Sequence, residues 1–371
     1  MSQEVIDCGR NFERRILKYK TKTVDKDIYN ESEQSALNSA RPVSELRQDI
    51  VTGDWVVIAT GRAKRPDEFA HHDHEASDVG IEHCPFENPE ATGQEKDVLI
   101  YASGDDHWTL RVFPNKYPAF SRGKVPRQMG EGPYFSMTGS GYHELFVTRD
   151  HYNQLATMES WQVAEVLDAY QDRYLSLMKK KSVNYIQIFH NHGKASGASL
   201  PHPHSQLMAI PVVSPYIQLE LKGAEAYFRS TKKKVYSVMA EYECDAKTRI
   251  VYENDRFVAF CPYASRAAFE VWVMPKKSSP YFERITDEEK LLLGEALRAA
   301  LFSIYRGLDD PSYNFYLHTA PCDGRDYPHY GWHIEILPKT SIWAGFELST
   351  GIEVSSIEPE KAAEYLRGML S

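Results

Sequence analysis

The sequence predicts an α+β fold in which one unit is built twice. Three observations support this. A strand–helix–strand order (142–148, 160–180, 184–189) returns in the second half as 269–275, 287–305 and 314–318. Each copy then ends on a histidine-bearing strand, 202–210 in the first and 333–338 in the second. At 371 residues, 42% hydrophobic and 26% charged, the chain suggests two domains or one large duplicated one and is easily long enough to bury a core.

In chain order, residues 1–40 are polar, with little periodicity, and read as a loosely attached arm. The turn Thr52-Gly53-Asp54 leads into Trp55-Val56-Val57-Ile58-Ala59, whose apolar and β-branched content predicts a short buried strand. A basic loop, Gly61-Arg62-Ala63-Lys64-Arg65-Pro66, follows, and Arg62 and Arg65 are candidates for phosphate contacts. His71-His72-Asp73-His74 has metal-binding residue types, but Glu75, Ala76, Ser77 and Asp78 beside it mark a loop, so it is set aside. Cys84-Pro85-Phe86-Glu87 has the shape of half a zinc knuckle with a carboxylate in place of one thiolate. Residues 111–113 are a strand running into the Pro114-Asn115 turn, and 142–148 is a strand closed by Arg149-Asp150-His151. Trp161, Val163, Val166, Leu167, Tyr170, Tyr174, Leu175 and Met178 recur at helical spacing. In the second copy, Thr286 and Glu289 form the capping box of the helix 287–305.

The stretch 193–206 is the candidate for chemistry. Gly193, Ala195, Ser196, Gly197, Ala198 and Ser199 let backbone N–H groups and hydroxyls approach an anionic oxygen. His202, His204 and Gln206 follow at a spacing of two, which on a strand lines them along one surface. A bare His-x-His pair more often binds a metal. With the small-residue loop before it and a carboxamide after it, the pattern fits an imidazole nucleophile facing phosphorus. The second copy carries His-x-Glu at 333–335, so only the first copy is expected to keep a nucleophile.

A net charge of −9 argues against nucleic acid or an anionic membrane as partner. The five cysteines (Cys8, Cys84, Cys244, Cys261, Cys322) are scattered and odd in number, pointing to a reducing, cytoplasmic setting rather than a disulfide framework. No apolar run is long enough to span a bilayer, and the polar N-terminus lacks a signal-peptide core.

From Glu45 to Arg367 these features resemble the histidine-triad superfamily and, within it, the galactose-1-phosphate uridylyltransferase branch. The matching pieces are 55–66, Phe113-Pro114-Asn115, 191–206 with its His-Pro-His-x-Gln signature, and Gly345-Phe346-Glu347. The resemblance implies two histidine-triad-like halves, each an antiparallel sheet with helices packed outside, and a homodimer. The N-terminal half, with the nucleophile, is expected at 41–222 and the C-terminal half at 223–371. The resemblance makes His204 the nucleophile and Gln206 its phosphoryl partner. It places substrate contacts on Arg62, Arg65, Asn115, Asn191, Gly197, Ser199 and Glu347. Family zinc ligands fall on Cys84, Glu87, His151 and His202, with Glu87 departing from the pattern. A second metal, iron or zinc, would fall on Glu220, His318, His333 and Glu335, with Glu335 standing where the family has a third histidine. The implied activity is a double displacement through a covalent nucleotidyl-histidine, using a sugar nucleotide and a sugar 1-phosphate, with UDP-glucose and galactose 1-phosphate as first expectation. One alternative is an ADP-glucose or dinucleoside polyphosphate phosphorylase, which Ser205 favours because many uridylyltransferases have glycine there. The other is a nucleotide-binding sensor without catalysis.

Overall fold

The alternating strands and amphipathic helices read from the sequence form one face-to-face packing in the computed structural model, which describes residues 43–60, 80–104 and 107–371. The first strands are β1 (Glu45–Gln48), β2 (Trp55–Ile58), β3 (Leu99–Ala102), β4 (Trp108–Pro114), β5 (Gln128–Glu131), β6 (Tyr134–Met137) and β7 (Tyr142–Thr148). Helix α1 (Ser160–Leu177) connects β7 to β8 (Tyr185–His192) and β9 (His204–Ile210). Helices α2 (Pro215–Thr231) and α3 (Val235–Ala246) lead to β10 (Ile250–Glu253), β11 (Phe257–Phe260) and β12 (Val271–Pro275). Then come α4 (Asp287–Gly307), β13 (Tyr313–His318), β14 (His333–Pro338), α5 (Gly345–Thr350), β15 (Glu353–Ser355) and α6 (Pro359–Gly368).

Ten of these strands make a single antiparallel sheet in the order β10-β11-β12-β14-β13-β8-β9-β7-β4-β3. The order is symmetric about the β13–β8 pair, where Tyr313 faces His192 and Leu317 faces Ile188. The two copies therefore share one sheet, five strands each. Strands β1, β2 and β15 form a separate small sheet, and Trp55, expected inside, is 46% exposed on it.

On β9, Ser205, Leu207 and Ala209 turn towards the helices, and His204, Gln206 and Met208 towards the opposite face. A continuous core fills the helix side, from Leu110, Phe146 and Ile188 through Val163, Tyr170 and Leu297 to Val273, Ile334 and Ile336. Within it α1 and α4 cross closely at Gly294, where a Cβ would stand 2.8 Å from the Ser160 carbonyl oxygen. Helix α4 starts as its capping box requires: Glu289 N–H donates to Thr286 Oγ1 at 3.2 Å, and Thr286 N–H to Glu289 Oε2 at 3.0 Å. The Arg173 guanidinium on α1 forks onto the Glu144 carboxylate of β7 (2.8 and 2.9 Å), both side chains buried. A smaller core (Tyr236, Ala240, Val258, Trp272, Met274, Tyr330) seats α2 and α3 against the other face of the second copy. Among the described residues a small cluster (Cys84, Phe86, Phe113, Leu145, Val147) covers the first copy's face, and the candidate site lies there. Among the described residues no helix is long and apolar enough to cross a membrane.

Candidate active site

Strand β9 begins at His204, so strict alternation covers His204 and Gln206, while His202 sits in the turn before them. The His204 ring is buried, and its Nδ1–H donates to the His202 carbonyl oxygen at 2.9 Å. That bond fixes the tautomer and leaves the lone pair on Nε2, which no described residue engages. Burial pushes the His204 pKa down, against the smaller opposite pull of that carbonyl, which favours the neutral ring. Phe86 packs edge-on against it, ring centroids 5.2 Å apart.

Gln206 lies between Leu145 of β7 and Phe189 of β8. Its Oε1 is 2.8 Å from Nε2 of His143, a residue that sequence reasoning missed although the alternation of β7 places it on the same face. Asn115 lies just beyond β4; its Nδ2 is 3.2 Å from His143 Nε2 and its Oδ1 accepts the Tyr117 N–H at 2.8 Å. The small-residue loop between β8 and β9 is closed on itself: Ser196 Oγ–H donates to the Gly193 carbonyl at 2.7 Å, and Ala198 N–H to the same oxygen at 3.3 Å. Gly197 has φ +88°, a left-handed conformation that a side chain would strain. Gly197 and Ser199 are exposed on this loop. A second missed residue, Asn314 on β13, reaches across from the other copy, its Nδ2 donating to Asn191 Oδ1 (2.8 Å) and to the Ser196 carbonyl (3.0 Å).

Two sequence readings are corrected here. Ser205 faces away from the site; its Oγ bonds the buried Tyr170 hydroxyl and His190 Nδ1, so it bears on packing rather than on the choice of acceptor. The correspondence between the copies also shifts by two residues. Glu335 on β14 is flanked by Trp272 and Tyr316, as Gln206 is by Leu145 and Phe189. His333 Nδ1 bonds the Gly331 carbonyl at 3.0 Å, as His204 bonds that of His202. His333 is thus the counterpart of His204 and Glu335 that of Gln206, while Gly331 stands where the first copy has His202. Glu347 lies on α5 and accepts the Ala344 N–H, with no hydrogen bond to another site residue among those described. Arg62, Arg65 and 71–74 fall outside the described residues.

Two groups of side chains could hold a metal ion. In the first, Cys84 Sγ, His151 Nδ1 and Glu87 Oε1 surround His202 Nδ1 at 3.5, 3.2 and 3.3 Å, and Glu87 Oε1 is 3.1 Å from His151 Nδ1. Cys84, His151 and His202 offer ligand atoms that all lie within 4.8 Å of one another, close enough for one ion to bridge, while Glu87 stands beside the two histidines. His202 Nε2–H donates to the Thr148 carbonyl at 2.7 Å, which turns the Nδ1 lone pair inward, and Arg149 holds the outer Glu87 oxygen at 3.2 Å. One thiolate and two imidazoles therefore suit a metal ion, and Glu87 is the nearest carboxylate to the two imidazoles. The second group is Glu220, His318, His333 and Glu335, all buried. His318 Nδ1 lies 3.0 Å from Glu220 Oε1 and 3.4 Å from Glu335 Oε1, and His333 Nε2 lies 3.2 Å from Glu335 Oε1. Arg266 binds the other Glu335 oxygen, and the Tyr330 hydroxyl donates to Glu220.

A family model described as galactose-1-phosphate uridyl transferase, N-terminal domain, matches residues 33–214. A model of a domain of unknown function matches 129–370. The ADP-glucose phosphorylase of Arabidopsis thaliana is 34% identical over 334 residues, covering 87% of this chain and 92% of that one. The chain belongs to the galactose-1-phosphate uridylyltransferase family. The Thermotoga maritima galactose-1-phosphate uridylyltransferase is 27% identical, covering 87% of this chain and 98% of that one. The crystal structure of the Arabidopsis ADP-glucose phosphorylase with bound ADP-glucose superposes with a TM-score of 0.74 at 32% identity, covering 88% of this chain and 99% of that one. Membership in this family makes the chain a nucleotidyltransferase.

Proposed function

We propose that the protein transfers a nucleotidyl group from a sugar nucleotide through a covalent intermediate on His204, with ADP-glucose as donor and inorganic phosphate as acceptor. The observation that carries the covalent step is the His204 ring, tied by Nδ1–H to the His202 carbonyl, with Nε2 unengaged beside Gln206. Nε2 attacks the α-phosphorus, a P–N bond forms, and the bond to the bridging oxygen breaks. Hexose 1-phosphate leaves with that electron pair. The ring keeps its Nδ1 proton and becomes cationic, and the His202 carbonyl stabilises it. An oxygen of the acceptor phosphate then attacks phosphorus, the P–N bond breaks and neutral His204 returns. Gln206 and the 193–199 loop hold the phosphoryl oxygens, which is most of what this chemistry asks of a protein. The 34% identity to an ADP-glucose phosphorylase supports the choice of donor and acceptor over the uridylyl transfer expected first. UDP-glucose with galactose 1-phosphate is the second reading, supported by the likeness to the Thermotoga uridylyltransferase.

The first metal group, with one thiolate, two imidazoles and a carboxylate, suits zinc. Bound there, the ion would tie 84–87, the end of β7 and the turn before His204 together, a structural role. Exposed Ile342 (96%), Trp343 and Phe346 around α5 support a homodimer.

The test is a pulse of α-³²P-labelled ADP-glucose or UDP-glucose on the purified protein, followed by a chase with phosphate or galactose 1-phosphate. An acid-labile label on wild type, absent from His204→Ala and chased by phosphate to ADP, is the expected result. Label chased only by galactose 1-phosphate from UDP-glucose selects the second reading, and turnover persisting in His204→Ala overturns both. Elemental analysis should find zinc in wild type and lose it in Cys84→Ala.

A further inference from the structure

The Gln206 amide has two ends, and only its NH₂ end can hydrogen-bond a phosphoryl oxygen. We infer that His143 is a positioning residue that sets which end faces the substrate; the inference rests on the proposed role of Gln206. Ala119 N–H points at His143 Nδ1 at 3.3 Å, which requires a lone pair there. The ring proton therefore sits on Nε2, and that N–H donates to Gln206 Oε1 at 2.8 Å. With its carbonyl oxygen taken from behind, the Gln206 amide turns its NH₂ group into the cleft beside His204. The Asn115 Nδ2, 3.2 Å from the same Nε2, then meets a donor, so that contact is packing and does not compete for the ring.

The chain of constraint is backbone amide, imidazole, carboxamide, phosphoryl oxygen. Each link fixes the polarity of the next, and its first link is a main-chain N–H that cannot reverse. His143 is 7% exposed, and burial lowers its pKa against the pull of Gln206, which keeps the ring in the neutral form the chain needs. An unheld carboxamide flips freely, presenting its oxygen to an anion for part of the time. Orientation of this kind matters more to a developing transition state than to ground-state binding.

Single-turnover rates of label transfer to His204 provide the test, in wild type, His143→Ala, Gln206→Ala and the double variant. His143→Ala should slow the step by about 10-fold and Gln206→Ala by about 100-fold, with little change in the substrate concentration at half-maximal rate. The double variant should be no slower than Gln206→Ala, and His143→Gln, which can donate from a similar position, should recover part of the rate. Losses that multiply in the double variant, or a His143→Ala rate equal to wild type, overturn the inference. Nitrogen NMR of ¹⁵N-histidine-labelled protein reads the His143 tautomer without any substrate. An Nε2–H pattern with no label transfer in wild type would count against the proposed function alone, and an Nδ1–H pattern would count against this inference alone.

Discussion

His204 and His333 start equivalent strands of one sheet, and each ring is held by the same Nδ1 bond to a carbonyl two residues back. Their Nε2 atoms meet opposite surroundings. Around His204 no described residue takes Nε2, and burial lowers its pKa. Around His333 burial also disfavours the charge, yet Glu335 and Glu220 outweigh it and raise the pKa. The difference comes from what covers the face. Helices α2 and α3 lie over the second copy and bring Glu220 and Tyr236 onto His333, whereas among the described residues the ring beside His204 is that of Phe86. One strand geometry therefore leaves a ring nitrogen unengaged among the described residues or ties it into a buried ion cluster, depending on the neighbours of that single nitrogen.

Exchanging the two rings for alanine should break the symmetry most visibly. His204→Ala should lower label transfer by at least about 10⁴-fold. His333→Ala should leave it within about 3-fold of wild type while lowering Tm, as read by single-turnover assay and calorimetry. The helix side offers a second contrast, because Glu144 of β7 is held by Arg173 while Val271 makes the analogous position on β12 apolar. Arg173→Met strands a buried carboxylate and should cost about 3–5 kcal/mol in denaturant unfolding. Val271→Ala should cost less, about 1–3 kcal/mol; equal costs would show that the ion pair adds nothing special.

A third effect concerns pH. Because burial lowers the His204 pKa, the ring stays neutral below the usual imidazole value of 6.5, and the acid limb of the label-transfer rate should lie below that pH. A limb above 6.5 would mean that another group controls the step. The smallest effect concerns Glu353 of β15, which burial pushes up to about 7 from 4.5, against the pull of Arg266. The folded chain then holds a proton that the unfolded chain gives up. Its contribution is fully present below pH 4.5 and is lost as pH rises through 7. Glu353→Gln should therefore raise Tm by a few degrees or about 3 °C at pH 8 and by progressively less towards pH 5.

Much of this was legible in the chain itself. The helix 287–305 starts at its Thr286 capping box, the helix expected from 160 starts there, and β7, β13 and β14 run over the expected residues. His204 and Gln206 share a face because strands alternate, a rule local enough to read from spacing. The register between copies was harder. His-x-Glu looked like His-x-His by residue type, and only the strand pairing shows that Gly331 takes the place of His202. His143 and Asn314 were missed because their meaning depends on partners 63 and 123 residues away. Ser205 was misread for want of a direction, since its hydroxyl serves the core under Tyr170.

The amide of Asn314 grips the 193–199 loop of the opposite repeat, so the seam between β8 and β13 does more than close a sheet. A fragment that ended before this strand would keep His204, Gln206 and the cluster of Cys84, His151 and His202, yet leave the loop without its anchor.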